Sequence, residues 1–498
     1  MKYLRNGMRL ALDQIPELDE AAFLQSVLDM TDRGWRVSSY FGVMIDGELR
    51  LYALLSSKTD GLLTVLTTRC GTPRFPTLAN LCPQVHLFER EITEQFGVVF
   101  TDHPWMKPVR FQEELPSSFP PVRDRGTVGV MDYYQVTGEE VHEVAVGPVH
   151  AGIIEPGHFR FQCYGEQVFH LEISLGFQHR GIEAALLGGP QKSTLARMET
   201  VAGDTTIGHT QAYAMTVEAL TGARVSARAE VIRGIALELE RLANHTGDLG
   251  AIAGDVGYLP TASFCGRIRG DFLNMTALLC GSRFGRGLIT PGGIRFDLDD
   301  ALVQTLGERL ATARSELTNA VDLLWNTPSV MGRLENTGVL PEADARTIGL
   351  VGPAARASAI NYDIRRDLPF GIYRLAQIPV VTAATGDVHA RTLVRWLEAE
   401  KSMDFIEEQL RQLPAGPIHG SGSTMAPHQL AVALTEGWRG EICHVAITDG
   451  SGQFARYKIT DPSFHNWTGL AFALREQQIS DFPLCNKSFN LSYCGFDL

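Results

Sequence analysis

The sequence predicts an α+β fold, in which a small N-terminal α+β domain is followed by a mainly α-helical bundle domain with peripheral β-strands. From Met1 to about Gln112, a short helical start precedes alternating apolar runs such as VSSYFGVMI and LRLYALLS, which are typical of strands joined at Asp-Gly turns. From about Thr205, apolar residues recur at spacings of three and four, the period of an amphipathic helix. Because long helices that face one another pack as a bundle, this change of period predicts the second domain.

A linker separates the two predicted domains. The segment from Leu115 to Gly126, LPSSFPPVRDRG, holds three prolines and two serines, a composition typical of linkers. We therefore predict a first domain at 1–114, a linker at 115–140 and a second domain at 141–498.

Within the second domain, each element has its own signal. The run HFRFQCYGEQVFHLEISLGF alternates around a Gly-Glu turn and predicts a hairpin. Helical periodicity predicts helices over 225–245, 299–325 and 392–413. The alternation in EICHVAITDGSGQFARYKITDPSF predicts a strand pair lying over the bundle.

Composition and charge exclude several classes of protein. The 498 residues include 44 Lys and Arg against 57 Asp and Glu, a net charge of −13 that disfavours a nucleic-acid partner. The eight cysteines show no C-x-x-C spacing, so neither zinc nor an iron–sulfur cluster is expected on one short loop. The start lacks the apolar core of a secretory signal, and no apolar run approaches the roughly 18 residues of a spanning helix. We expect a cytoplasmic chain that reaches a membrane only through partners.

The polar segment GFQHRGIEAAL brings His179, Arg180 and Glu183 together directly after a predicted strand. These side chains can donate a proton, carry a fixed positive charge and accept a proton within one turn. Composition alone favours a structural interpretation, in which the glutamate caps a helix and the arginine makes a salt bridge.

Two further polar clusters adjoin predicted core helices. In METVAGDTTIGHTQAYAMTVE, His209 follows a group that would cap a helix, and a lone histidine there is more often a satisfied core residue than a ligand. In ERLANHTGDLGAIAGDV, His245, Asp248 and Asp255 lie in a glycine-rich stretch, which predicts a helix C-cap and a turn. Buried carboxylates and histidines are costly unless paired, so three such clusters together favour a functional site.

Several motifs resemble known families. HLFEREITEQFGVVFTDHP, residues 86–104, is similar to the signature of the thirty-kilodalton subunit of respiratory complex I. Later segments resemble the forty-nine-kilodalton subunit of complex I and the large subunits of membrane-bound group-4 nickel–iron hydrogenases, and the combination resembles the fused large subunits of the formate hydrogenlyase family. The segments that carry this second resemblance are GPVHAGIIEPGHFRF, GFQHRGIE, HTQAYAMTVEAL, ELERLANH, NYDIRRDLPFGIY and ITDGSGQFARYKITDPSF.

The departure from the hydrogenases concerns metal. In that family two C-x-x-C pairs hold nickel and iron, because soft thiolates stabilise the centre. The first pair falls here on Ala202 and Thr205, and the second on Ser492 and Gly495. The match therefore implies that the chain binds no metal.

The resemblance to complex I implies a quinone-type pocket in place of the metal. In that family a tyrosine and a histidine hydrogen-bond the quinone, and an aspartate pairs with the histidine. Asp255 matches the aspartate, and His150 matches a G-P-x-H histidine. The tyrosine position falls on Gly203, and the quinone histidine falls two positions before His158. His150, His158 and Asp255 are the candidate quinone-binding residues.

The resemblance implies a role in a complex. We expect the large subunit of a membrane-associated oxidoreductase, beside an iron–sulfur small subunit like that of complex I and next to antiporter-like membrane subunits. His179, Arg180, Glu183, His209 and Asp255 would manage protons and anchor the acceptor. The alternative is a non-catalytic subunit that couples the partners structurally, which filling of the cavity near His179 and Asp255 by Phe489 or Tyr493 would favour. An active nickel–iron hydrogenase is a third hypothesis, against which the ligand count argues.

Overall fold

The computed structural model describes residues 2–111, 119, 126–149 and 155–498, and the described residues confirm the predicted α+β class. The strands are β1 (Tyr3–Leu4), β2 (Met8–Ala11), β3 (Glu17–Leu18), β4 (Arg36–Ile45), β5 (Glu48–Ser57), β6 (Leu62–Arg69), β7 (Arg74–Pro76), β8 (Val99–Thr101), β9 (Val141–Val146), β10 (His158–Tyr164), β11 (Gln167–Ser174), β12 (Ile289–Thr290), β13 (Gly293–Ile294), β14 (Gln429–Gly437), β15 (Gly440–Thr448) and β16 (Phe454–Thr460). The helices are α1 (Glu20–Asp32), α2 (His86–Phe96), α3 (Thr194–Met198), α4 (Thr206–Thr221), α5 (Ala227–Asp255), α6 (Leu259–Cys280), α7 (Asp300–Trp325), α8 (Pro328–Leu334), α9 (Glu342–Thr347), α10 (Gly352–Ala357), α11 (Ile364–Asp367), α12 (Val388–Arg411), α13 (Pro462–Ala473), α14 (Phe482–Phe489) and α15 (Tyr493–Asp497).

The N-terminal sheet has the strand order β1-β6-β5-β4, with β3 parallel to β6. β4 and β5 are buried along most of their length, β4 packs against α2 and α1, and α1 also packs against β6. Asp19 caps α1 by accepting a hydrogen bond from the backbone N–H of Ala22 at 2.8 Å.

A second sheet joins the two ends of the chain. Its order is β16-β15-β14-β2, so that residues 8–11 pair antiparallel with residues 429–432. The predicted strand pair near the C-terminus is confirmed as β15 and β16. Its pairing with the N-terminal strand was not predicted, because the partners lie near opposite ends of the sequence.

The predicted helices and the predicted hairpin are confirmed. α5, α7 and α12 cover the three helical patterns, and β10 and β11 form the hairpin, with β9 on the other side of β10. One expectation was wrong: the glycine-rich stretch after His245 is not a turn but the second half of α5. A Cβ on Gly250 would lie 2.9 Å from the Cβ of Cys265, so this glycine lets α5 and α6 approach closely.

Charged residues in the centre of the bundle form what we call the ionic cluster. It connects α5, α10, α11, α12 and β14, and every member is at most 3% exposed. Its ion pairs include Arg356 Nε to Glu398 at 2.7 Å and Arg365 to Asp363 at 2.6 Å. The members are Glu238, Arg241, His245, Arg356, Asp363, Arg365, Glu398 and Glu436.

Two features bear on the predicted organisation. In the described part of the predicted linker, at residues 119 and 126–140, the chain forms no helix or strand. A search of the described residues finds no helix with the length and apolarity needed to cross a membrane.

Candidate functional site

The last residues of the chain meet most of the predicted site residues. α14 ends at Phe489 and is followed by Asn490, whose backbone is left-handed with φ 44°. We call residues 490–495, which include the first residues of α15, the C-terminal turn. The Ser492 backbone N–H donates to Ser463 Oγ at 2.8 Å, and Ser492 Oγ accepts from the Gly495 N–H at 2.9 Å. These bonds fix the turn against the start of α13.

Arg439 lies between the C-terminal turn and the loop before α4. Its guanidinium pairs with Asp204 at 2.6 and 2.7 Å, donates to the carbonyl of Asn490 and lies 3.8 Å from the Trp438 ring centroid. Burial lowers the pKa of Arg439, but the charge of Asp204 outweighs burial and raises this pKa above its usual range. The cation therefore stays charged at the place where the two segments meet.

The four cysteine positions of the hydrogenases do not form a thiolate site here. They carry Ala202, Thr205, Ser492 and Gly495. A Cβ built on Gly495 would lie 2.7 Å from the Asp461 carboxylate, so this carboxylate occupies the space that a fourth cysteine would need. Among the described residues, no group of three or more His, Cys, Asp or Glu side chains is placed to hold a metal ion. The residues present do not fit a nickel–iron centre.

His209 is completely buried near the N-terminal end of α4. Its Nε2 is 3.0 Å from Asp461 Oδ2, and its Nδ1 is 3.1 Å from His444 Nε2. His444 Nδ1 in turn lies 2.9 Å from the hydroxyl of Tyr457. A continuous row of hydrogen bonds thus leads from the sheet to the carboxylate beside the C-terminal turn.

His179 and Arg180 contact the same C-terminal segment. His179 Nδ1 lies 2.7 Å from the backbone carbonyl of Asp497, and burial lowers the pKa of this imidazole. Arg180 donates to the carbonyls of Thr200 at 2.6 Å and Cys494 at 3.3 Å. Both side chains therefore connect the loop after β11 to the chain terminus and to the loop before α4.

Glu183 belongs to a buried ion cluster of its own. It pairs with Lys458 at 3.0 Å and Arg456 at 2.9 Å, and Lys458 also contacts Glu91 of α2 at 2.7 Å. Burial raises the pKa of Glu183, but the charges of Lys458, Arg456 and Arg110 outweigh it and lower this pKa to about 2. Glu183 is therefore a fixed anion next to β16, and Lys458 lies between it and Glu91 of α2.

The remaining predicted residues lie elsewhere. Asp255, at the end of α5, pairs with Lys487 of α14 at 2.5 Å and has a 16% exposed side chain. His158, at the start of β10, contacts the Gly147 carbonyl at 3.3 Å, and burial lowers its pKa. His150 lies outside the described residues. The structure thus places His179 and Arg180 against residues 494–497, and it places His209 against Asp461, which lies next to Gly495. It does not bring Asp255 or His158 into contact with these three side chains.

A surface pocket opens beside Asp204 and the first turn of α4. Glu240 of α5 accepts from the N–H groups of Ile207 at 2.7 Å and Gly208 at 3.1 Å, and burial raises its pKa to about 8. The lining residues are Asp204, Ile207, Glu240, Ala243, Asn244, Arg269, Leu273, Thr276, Arg283 and Phe284. The pocket offers guanidinium groups, an aromatic ring and a carboxyl that holds a proton near neutral pH.

Phe489 and Tyr493 point into protein packing. The centroid of the Phe489 ring lies 4.3 Å from the guanidinium carbon of Arg391. The centroids of the Tyr493 and Trp467 rings lie 4.8 Å apart. Neither residue lines the pocket beside Asp204.

The sequence analysis missed three residues of this site: Arg439, His444 and Asp461. It assigned Asp204, with Thr205 and Thr206, to a helix cap, but no side chain caps α4 and the Asp204 carboxylate pairs with Arg439 instead. Arg439 directly precedes β15 and His444 lies within it. The alternation that predicts a strand does not show which of its residues take part in a site. Arg439 pairs with Asp204, and His444 pairs with His209, each 235 positions away along the chain. The signal available was the presence of charged and imidazole groups in strands that are buried along nearly their whole length.

Family models match most of the chain. The model of the respiratory-chain NADH dehydrogenase 30 kDa subunit matches residues 20–127. The model of the 49 kDa subunit matches residues 255–430 and 420–497.

Individual relatives agree with these matches. Formate hydrogenlyase subunit 5 of Escherichia coli is 30% identical, over 97% of this chain and 89% of that protein. The carbon monoxide-induced hydrogenase of Rhodospirillum rubrum is 32% identical, over 70% of this chain and 97% of its own length. NADH-quinone oxidoreductase subunit 4 of Thermus thermophilus is 29% identical over 74% of this chain and 95% of that subunit.

The fold also matches a solved structure. A chain of the membrane-bound sulfane sulfur reductase, an archaeal respiratory membrane complex, superposes with a TM-score of 0.68 at 24% identity, covering 73% of this chain and all of that one. The 30 kDa model matches the first part of the chain and the 49 kDa model matches its second half. The identity to the formate hydrogenlyase subunit supports the same family. This chain belongs to the family that unites the complex I 49 kDa subunit with the large subunits of membrane-bound group-4 hydrogenases, here preceded by a 30 kDa-like unit.

Proposed function

We propose that this chain is the large subunit of a membrane-associated oxidoreductase complex and that it holds a quinone-type electron acceptor instead of a metal. The observation that carries the proposal is that two cations, Arg269 and Arg283, line the pocket beside Asp204 together with Phe284. An acceptor that gains electrons gains negative charge, and fixed cations in a partly buried site stabilise that charge.

The side chains around the pocket have the chemistry that a planar, oxygen-bearing acceptor needs, but the cavity between them is about 10 Å³, so binding requires these side chains to move apart. Phe284 presents a ring on which a planar molecule stacks, and Arg269 and Arg283 provide donors for its carbonyl oxygens. Glu240 holds its proton near neutral pH, because burial raises its pKa to about 8, and it therefore serves as a proton donor. When bound, the acceptor would supply the redox chemistry, which none of these side chains can supply.

The proposed role within a larger complex rests on the similarity to subunits of membrane respiratory complexes. Electrons would come from an iron–sulfur partner like the small iron–sulfur subunit of complex I, and antiporter-like membrane subunits would use the proton movement. The chain would lie on the cytoplasmic face of the membrane, with domains at 1–114 and 141–498. His179, Arg180, Glu183, His209 and Asp255 remain the proposed proton-handling and anchoring residues, and His150 and His158 remain proposed acceptor contacts.

The test is the cofactor content of the purified native complex. Nickel, iron and extractable quinone are measured per copy of this chain, in the wild type and in Asp255→Asn, His179→Ala and Arg269→Gln. The control is Arg267→Gln, on the same helix but 49% exposed and paired with Glu316. We expect stoichiometric quinone without nickel in the wild type and the control, and loss of quinone in Arg269→Gln. Nickel at one per chain would overturn the proposal in favour of a hydrogenase.

A second candidate is a structural coupling subunit with no acceptor. It is favoured by the saturated contacts of Arg439 and by the Asp461 carboxylate next to Gly495, which together fill the place of the metal. If quinone and nickel are both absent while the partner's iron remains, the chain is a scaffold.

A further inference from the structure

Four buried side chains form a row that we call the histidine relay: Tyr457, His444, His209 and Asp461. The successive distances are 2.9 Å from the Tyr457 hydroxyl to His444 Nδ1, 3.1 Å from His444 Nε2 to His209 Nδ1 and 3.0 Å from His209 Nε2 to Asp461 Oδ2. None is more than 1% exposed. Two imidazoles joined directly to one another are an expensive arrangement in a dry core, since each nitrogen needs a partner of the right kind.

The resting direction of the hydrogen bonds follows from the Asp461 end. Burial raises the pKa of Asp461, but the hydrogen bond from His209 counts most strongly in the opposite direction, the charge of Arg439 adds to it, and the pKa lies below its usual range, so the group is a carboxylate. His209 Nε2 then carries the hydrogen, His209 Nδ1 accepts from His444 Nε2–H, and His444 Nδ1 accepts from the Tyr457 hydroxyl. Every hydrogen points toward Asp461.

The same geometry accommodates one more proton without leaving any N–H group unpaired. With His209 doubly protonated, its Nε2–H still donates to Asp461, and its Nδ1–H donates to His444 Nε2. His444 then donates from Nδ1 to the Tyr457 oxygen, and the Tyr457 hydroxyl turns to Thr216, with which it is hydrogen-bonded. The added charge rests against the Asp461 carboxylate, as an ion pair within hydrogen-bond distance.

We propose that the histidine relay is a proton-binding site, which takes up one proton when negative charge enters the pocket beside Asp204 and the first turn of α4. This inference rests on the proposed function, because that function brings the charge. The added proton enters at the Tyr457 oxygen, and each hydrogen of the row moves one place toward Asp461. The Tyr457 hydrogen passes to His444 Nδ1 and the His444 Nε2 hydrogen passes to His209 Nδ1, so that the charge settles on the imidazole pair. No electron passes through the relay, and no covalent bond other than those of the moving protons changes.

The surroundings explain why the relay is empty at rest. Burial lowers the pKa of His444 far below its usual value, and this imidazole does not ionise at neutral pH on its own account. Arg439 faces Asp461 and opposes an added positive charge, whereas Glu183 faces His444 and favours it. Around Tyr457, the neighbouring titratable groups are Tyr213 and Cys443, both neutral because burial raises their pKa values.

The test counts protons taken up per electron when the assembled complex is reduced in weak buffer with a pH-indicating dye. The variants are His444→Gln, which keeps a hydrogen-bonding side chain but cannot ionise, and Asp461→Asn, which removes the counter-ion. Tyr213→Phe is the matched control, since its ring lies 6.3 Å from that of Tyr457 but is not a member of the relay. We expect both relay variants to lose one proton per chain and the control to lose none. Uptake unchanged in both variants overturns the relay and leaves the proposed function standing.

A second measurement decides the matter if a variant does not assemble or the complex proves to hold no acceptor. Nitrogen NMR of the full-length wild-type chain, with labelled histidine, reports which ring nitrogens carry hydrogen. We expect each ring to carry a hydrogen on Nε2, as the direction of the hydrogen bonds requires. Hydrogen on Nδ1 of both rings, or on different nitrogens in the two rings, would overturn the relay whatever the pocket binds.

Discussion

The ionic cluster and the histidine relay are both buried polar groups, yet they hold charge in opposite ways. In the ionic cluster, guanidinium groups and carboxylates face one another, and the charges of Arg356 and Arg241 together with the His245 hydrogen bond lower the pKa of Glu398 far below its usual value despite burial. In the relay, burial lowers the pKa of His444, and no arginine among the described residues contacts the two imidazoles directly. The first arrangement fixes many opposite charges in place, whereas the second joins two imidazoles and a tyrosine to a single carboxylate through hydrogen bonds.

The largest effect is expected from breaking the ionic cluster at Glu398. Glu398→Gln removes the anion that contacts Arg356 at 2.7 Å and His245 at 3.0 Å, and it leaves a buried guanidinium short of a counter-ion. The free energy of unfolding should fall by about 3 to 5 kcal/mol, as for other broken buried pairs. Chemical denaturation measures it. Glu407→Gln, on the same helix but 53% exposed, is the control and should change stability by less than about 1 kcal/mol. Equal effects of the two variants would mean that the cluster is not a locked charge network.

Acid titration sharpens the same comparison at Glu238. Burial raises the pKa of Glu238, but Arg241 and Arg365 with the hydrogen bonds of Ser402 and Tyr373 outweigh it and lower this pKa to about 2. A carboxylate whose folded pKa is depressed stabilises the fold above its unfolded pKa, and that stability is lost as the pH falls through the folded pKa. Between about pH 4.5 and pH 2, Glu238 should account for on the order of 3 kcal/mol of lost stability.

The check is a set of denaturation curves over this pH range for the wild type and Glu238→Gln. The variant should be less stable at neutral pH and should lose less on acidification, because its side chain no longer titrates. Parallel pH profiles for both proteins would contradict a depressed pKa at Glu238.

The smallest effect is expected at Asp255, which belongs to neither cluster. Its partner Lys487 is 39% exposed, so Asp255→Asn should lower the free energy of unfolding by less than about 1 kcal/mol. Asp248→Asn is the contrasting variant, since Asp248 is 2% exposed and lies 2.7 Å from Arg395, and its cost should be several times larger. Thermal unfolding of both variants measures the difference, and a larger loss at Asp255 would reverse this ranking.

Local sequence patterns were sufficient to predict the helices, the hairpin and the class of fold. The period of three and four marked α5, α7 and α12, and alternation marked β10, β11, β15 and β16, since both signals lie within single elements. The end of α5 was misjudged, because glycine marks a turn or a close approach equally well and only the neighbouring Cys265 decides between them.

The candidate site was accessible from the sequence only in part. His179, Arg180 and His209 stood out as polar groups beside apolar elements, and the structure brings all three to the C-terminal segment. Arg439 and Asp461 did not stand out, because their importance lies in contacts with residues 235 and 252 positions away. Such pairings are set by the packing of whole elements, which a single sequence does not reveal.

The pairing of β2 with β14 has a consequence for synthesis. Residues 8–11 leave the ribosome early, but their partner, residues 429–432, follows only when most of the chain has been made. At about 5 to 20 residues per second, the early strand waits for roughly 20 to 80 seconds with an unpaired edge. An unpaired strand edge invites pairing with other chains, so the nascent polypeptide depends during this interval on something that shields its first strand.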